Sequence, residues 1–223
     1  MTLPKRLYQQ IADQVRQLIQ NGQYPAGSRL PPERELAQTL GVSRPSLREA
    51  LIALEIDGTI EIRMGSGIYA LSPAKTSNGQ RSLGESPTEL MQARAVIESA
   101  VIAKAAAAVT DSFIEALSAI LDSMRAEIAE GRKPIDQDRQ FHLTIAEQAG
   151  NSVLADIVAN LFDERHSPMS DHMRGRFETP ETWFAALQEH EAILTALDMR
   201  DPLAAQAAMH AHLTASRRRW LEN

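Results

Sequence analysis

Residues 31–71 read PPERELAQTLGVSRPSLREALIALEIDGTIEIRMGSGIYAL, and their spacing decides the architecture of the first part of the chain. Pro31-Pro32-Glu33 suits the opening turn of a helix, and Leu36, Ala37 and Leu40 give that helix one buried face. Gly41 supplies a turn, Ser43 caps a following helix, and Leu47, Leu51 and Leu54 recur at helical spacing until Gly58 stops it. Two helices that cross closely need a small residue at the contact, a glycine four residues later, and apolar residues on both sides of the turn. Ala37, Gly41, Val42 and Leu47 meet those demands at the offsets of a helix-turn-helix. Thr59–Arg63 then alternates as a strand, Met64-Gly65-Ser66-Gly67 forms a hairpin tip, and Ile68–Leu71 returns. Working outward, Leu7, Ile11, Val15, Leu18 and Ile19 place an amphipathic helix over residues 5–20. The expectation is a winged helix-turn-helix over residues 1–71.

The chemistry on this frame falls to arginine. Arg44 and Arg48 are four apart and share one face near the start of the third helix, the end that enters the major groove in this motif. Arginine reads guanine bidentately through O6 and N7. Ser43 and Ser46 suit phosphate contacts, Arg34 opens the preceding helix near the same groove, and Arg63, Gly65 and Ser66 bring the wing to the DNA backbone or minor groove. Taken singly, each arginine reads more simply as a solvated cation paired with Glu33, Glu35 or Glu49. The joint occurrence of the spacing, the arginines and the glycine-rich wing favours double-stranded DNA.

The whole chain of 223 residues is acidic, with a formal net charge of −6. The balance is uneven: residues 1–71 carry +1 and residues 72–223 carry −7, and all six histidines lie in the second part. A DNA-binding role therefore rests on a local cluster of cations. Cysteine is absent, which excludes disulfides and thiolate metal sites. Even the longest apolar runs, such as Ala105 to Val109, are too short to suggest a membrane span, and the N-terminal stretch lacks the apolar region of a secretory signal. The expectation is a cytoplasmic protein with no membrane partner. Residues 72–86, rich in Ser, Gly, Asn and Pro, read as a linker.

From residue 87 onward the periodicity is helical. Ser86-Pro87-Thr88-Glu89 is a capping box with proline at the first helical position, and Thr179-Pro180 and Asp201-Pro202 repeat the device. Helices are expected near 87–108, 111–130, 134–149, 151–170, 180–199 and 202–220, with Gly131 and Gly150 at helix ends. Asn151 reads as a cap, and Arg217-Arg218-Arg219 as complements of a helix C-terminus. Together they predict a mainly α chain, with an all-α antiparallel bundle over 87–223.

Asp138 and His142 are i and i+4 on one helix, a pair that alone reads as a surface hydrogen bond. His190 lies ten residues before Arg200, and His212 eleven after Asp201. If the last two helices form a hairpin, both sit roughly 15–17 Å from its turn at ~1.5 Å per residue, level with each other. One aspartate and three histidines make an oxygen and nitrogen site for a divalent transition metal. His210 is level too, and its direction differs from that of His212 by about 200°, so only one of them faces inward. Arg94 pairs naturally with Glu98 at i+4 on a solvated face.

The stretch YPAGSRLPPERELAQTLGVSRPSLREALIALEIDGTIEIRMGSGIYAL strongly resembles the GntR superfamily of bacterial transcription regulators, across nearly all of residues 5–71. The resemblance implies that Arg34, Arg44 and Arg48 are DNA-reading residues. Pro45 departs from relatives that carry a DNA-contacting threonine there. ELMQARAVIESAVIAKAAA, DRQFHLTIAEQAGNSVL and ALQEHEAILTALDMRDPLAAQAAMHAHL look like the FCD ligand-binding domain of the FadR branch. That likeness implies Asp138, His142, His190 and His212 as metal ligands, which selects His212 over His210. It implies zinc first, with nickel or manganese as other choices, and Arg94 pointing into a cavity to meet an effector carboxylate. Within the branch the chain most resembles hexuronate and sugar-acid regulators.

The implied function is a repressor: a homodimer on a near-palindromic operator, switched by a small carboxylate effector held by metal and Arg94. The linker and the first long helix are the expected transmission route. Two other classes fit parts of the sequence, a metal-dependent enzyme fused to a DNA-binding module and a ligand-independent DNA binder.

Overall fold

The computed structural model describes residues 5–71 and 83–221, with side chains through 219. Most of the expected linker, residues 72–82, lies outside the described residues. The chain divides into two compact units, one holding residues up to Thr88 together with Ser167–Met173, the other Glu89–His166 and the residues from Arg174 onward.

In the first unit, α1 (Leu7–Gln20), α2 (Glu33–Leu40) and α3 (Arg44–Ile56) precede a hairpin of β1 (Ile60–Arg63) and β2 (Gly67–Ala70). The strands pair antiparallel with Ile60 opposite Ala70 and Ile62 opposite Ile68. Residues 27–30 run along the outer edge of β2, with Leu30 N donating to Ile68 O and Ala70 N to Ser28 O. Ile11, Val15, Leu36, Leu47, Leu51, Leu54, Ile60 and Ile68 form one core. Gly41 stands between α2 and α3 at φ 66°, where a side chain would strain the backbone. Ser43 caps α3 by accepting from Ser46 N at 3.2 Å. Glu49, buried on α3, accepts from Ser86 Oγ at 2.8 Å and from Thr88 N at 2.7 Å.

The second unit is helical throughout: α4 (Pro87–Ala106, from Glu89), α5 (Asp111–Ala129), α6 (Ile135–Gln148), α7 (Ser152–Asp163), a 3-10 turn at Glu164–His166, the end of α8 (Pro168–Phe177), α9 (Pro180–Asp198) and α10 (Pro202–Leu221). α5 packs against α6 and α9, α6 against α7, and α9 against α10. Asn151 caps α7, accepting from Leu154 N at 3.2 Å.

One expectation is corrected. A single helix over 151–170 does not form: α7 stops at Asp163, and a separate helix starts at Pro168. Proline at 168 has no N–H for a continuing helix and clashes with the preceding turn, whereas it suits a first turn. Ser167 accepts from Ser170 N at 3.3 Å, so the break is capped. Residues 167–173 join the first unit, where His172 Nε2 lies 2.8 Å from Glu55 Oε2 of α3.

Candidate metal centre and DNA-reading face

Asp138 and His142 come from adjacent turns of α6, His190 from α9 and His212 from α10. Each offers one ligand atom, and the four atoms lie within 4.8 Å of one another. His190 Nε2 is 3.3 Å from Asp138 Oδ1 and 3.3 Å from His142 Nε2, while His142 Nε2 is 3.6 Å from Asp138 Oδ1. Donors about 2.0–2.2 Å from a shared zinc ion, arranged tetrahedrally, stand roughly 3.3–3.6 Å apart. Asp138, His142 and His190 therefore fit a divalent metal in both donor type and spacing, and His212 offers a further nitrogen donor within 4.8 Å of them. His210 faces solvent and His212 is buried, so the helix phase turns one of this pair inward.

The charges around the cluster are strongly coupled. Burial would raise the Asp138 carboxyl, but Arg165, 2.6 Å from Oδ2, and then the two histidines outweigh it and hold it well below the usual range. Burial opposes a proton on all three histidines. At His142 the nearby Glu98 and Asp138 overcome it and raise the pKa. At His190 burial wins and lowers it. At His212 burial, reinforced by repulsion from His190, lowers it to about 3. His190 and His212 thus favour the neutral form that a metal requires.

Arg94 does meet a carboxylate, but that of Glu98 on its own helix, with Nε 2.6 Å from Oε1. The two side chains are 1% and 3% exposed, so the i, i+4 pair is buried rather than solvated. Burial would raise the Glu98 carboxyl, but Arg94 and then His142 hold it at about 2. The Arg94 guanidinium stacks on Phe162 at 4.8 Å, and its Nη2 has no hydrogen-bond partner among the described residues.

Beside the cluster lies an open cleft with a polar, cationic lining. Asp138 and His190 line it, with Arg165, Arg174, Arg219, Lys133, Thr182, Trp183 and Ser216. Arg94 is not part of that lining. Nothing in the sequence points to Arg165 and Arg174 as lining a cleft. For Arg219 the nearest sequence signal is the arginine run at the end of α10, which suits a helix terminus.

In the first unit, Arg44 is 56% exposed and only loosely paired, 3.6 Å from Glu33. Arg48, 11% exposed, is bonded to the same carboxylate at 3.1 Å. Arg34 is exposed at the start of α2. On the wing, Arg63 pairs with Glu61 at 2.7 Å and covers the Tyr69 ring at 4.4 Å. Ser66 Oγ shares a hydrogen bond with Tyr69 Oη at 2.9 Å, and Gly65 holds the tip at φ 70°. Ser46 Oγ is 2.8 Å from Ser43 Oγ. These residues lie on α2, α3 and the hairpin that the motif uses on DNA.

Residues 7–70 match the bacterial regulatory proteins of the gntR family, and residues 89–215 match the FCD domain. The chain belongs to the GntR family. This GntR-family chain is 38% identical to the Exu regulon transcriptional regulator of Escherichia coli strain K12, over 96% of its length and 84% of that protein. It is 36% identical to the Uxu operon transcriptional regulator of the same strain, over 99% and 89%. Its fold matches the solved structure of Streptococcus agalactiae GntR with a TM-score of 0.51 and 27% identity, over 95% of this chain and 99% of that one. It is thus a transcriptional regulator of the GntR type with an FCD domain. Among the described residues, no helix is long and apolar enough to cross a membrane.

Proposed function

We propose that this regulator is a cytoplasmic, homodimeric repressor that binds a near-palindromic DNA operator and senses a sugar acid at a divalent-metal site, with zinc as the favoured metal. The observation that carries the reading is the convergence of Asp138, His142, His190 and His212 beside a cleft lined by three arginines. Two of the four ligands, Asp138 and His190, face that cleft. A bound metal would supply a positive centre for the oxygens of an anionic ligand. The arginines of the cleft provide charge-assisted, bidentate contacts for a carboxylate, while Arg94, buried behind the cluster, keeps an Nη2 without a partner among the described residues. Thr182, Ser216 and the indole of Trp183 suit hydroxyls and a sugar face, which favours a hexuronate. The names of the Exu and Uxu relatives point the same way.

On the DNA side, two-fold symmetry of a dimer places two copies of α3 on two half-sites. Arg34, Arg44 and Arg48 read bases or the groove rim, Ser43 and Ser46 hold phosphates, and Arg63, Gly65 and Ser66 bring the wing to the duplex. The effector must favour one arrangement of the paired heads over another for DNA affinity to change.

Elemental analysis of the purified chain, with a thermal-shift series in glucuronate and galacturonate, tests this reading. Stoichiometric divalent metal and a melting temperature that climbs with acid concentration are expected, since a ligand of the folded state stabilises as RT ln(1 + [L]/Kd). A chain free of metal, or one whose melting ignores every sugar acid, contradicts it.

A further inference from the structure

Two of the three clustered histidines are gripped from behind by the same arrangement. His142 Nδ1 lies 2.5 Å from Glu98 Oε2, and Arg94 donates to the other oxygen of Glu98. His212 Nδ1 lies 2.8 Å from Glu189 Oε2, and Arg219 donates to Glu189 Oε1 and Oε2 at 2.6 and 2.9 Å. The glutamates come from α4 and α9, and neither belongs to the four residues whose ligand atoms converge. His190 is built differently: its Nδ1 is buried and has no hydrogen-bond partner among the described residues. The Phe141 ring packs against it in a T-shaped arrangement, 4.7 Å away between centroids.

A neutral imidazole carries one N–H. A carboxylate against Nδ1 places the proton there, leaves the Nε2 lone pair free and fixes the rotation of the ring. For His142, Nε2 is the atom that faces Asp138 and His190. Each glutamate's charge is balanced by its arginine, so it orients the imidazole without itself becoming a fifth donor.

We infer that Glu98 and Glu189 are positioning residues of the metal centre, each setting the tautomer and orientation of one ligand histidine while Arg94 and Arg219 anchor them. The inference rests on the metal-site reading above.

The test is competition of the full-length chain against a chromogenic chelator for Zn(II). Glu189→Ala should weaken zinc binding by about 10–100-fold, the range known for such outer partners. Glu189→Gln should recover part of the loss, because its amide oxygen still accepts from Nδ1–H. Glu98→Gln should also bind more weakly; it keeps an amide oxygen as an acceptor beside the buried Arg94, which Glu98→Ala would remove along with the charge. Nitrogen-15 spectra of the histidine-labelled, metal-free chain at alkaline pH should show the Nδ1–H form at His212, and Glu189→Ala should mix the tautomers there. If wild type binds zinc and both Glu189→Ala and Glu98→Gln stay within about twofold of it, well under the outer-partner range, the inference fails and the metal site stands. If the wild-type chain binds no zinc, both fail.

Discussion

On α3, Arg44 is 56% exposed and sits 3.6 Å from Glu33. On α4, Arg94 is 1% exposed and sits 2.6 Å from Glu98. Both are arginines with a glutamate in reach, and burial gives them opposite uses. Arg44 keeps most of its five donors in water, so exchanging water for a guanine or a phosphate costs little. Arg94 has lost its water, and its charge is committed to Glu98 and through it to His142. At Arg44 the first unit thus holds a cation loosely at its surface, and the second encloses balanced charges around a fixed point.

His142→Ala probes the enclosed side and carries the largest expected effect. It removes one ligand and leaves Glu98 without its histidine, so metal affinity should fall by more than ~100-fold, beyond the range for outer partners. Retention of stoichiometric metal by this variant, measured by elemental analysis after dialysis, would break the contrast. Arg44→Ala comes next. Losing one bidentate base contact should cost roughly 1–3 kcal/mol of discrimination, about 5–150-fold in preference for operator over scrambled duplex. Its metal content should equal that of wild type; a simultaneous loss of both would mean that the two kinds of arginine are not separable. The smallest effect is expected at the wing. Arg63→Ala should weaken specific and nonspecific duplexes alike and lower the salt-dependence slope of DNA binding by about one. A changed base preference in this variant would move Arg63 from the backbone to base reading.

The same contrast explains what the sequence made legible. The determinants of the helix-turn-helix are local. Ala37, Gly41 and Leu47 act through their spacing, and the observed cap at Ser43 and the β1–β2 hairpin follow from residues only a few positions apart. Asp138 and His142 were readable as an i, i+4 pair, and the α9–α10 hairpin brought His190 and His212 level by simple rise per residue. Choosing His212 over His210 needed the family resemblance, because helix phase relative to an unseen core is not a local property. The supporting charges were hidden for a similar reason. Glu98 looked like half of a surface pair, since nothing near it in sequence announces that α4 is buried on that face. Glu189 is next to His190 but serves His212 from the following helix. The break at Ser167-Pro168 was a different kind of miss. It repeats the cap-then-proline device of Ser86-Pro87.

The central claim is that metal and acid together set DNA affinity. It is tested most directly by fluorescence anisotropy on a duplex that the protein itself selects from a random pool. The metal-loaded chain and the chelator-stripped chain are each titrated with glucuronate. A coupling of about 1–3 kcal/mol, typical of linked sites, predicts that the acid shifts the DNA Kd by roughly 5–150-fold for the loaded chain and leaves the stripped chain unmoved. An unchanged Kd in the loaded chain, or an equal shift without metal, would contradict it.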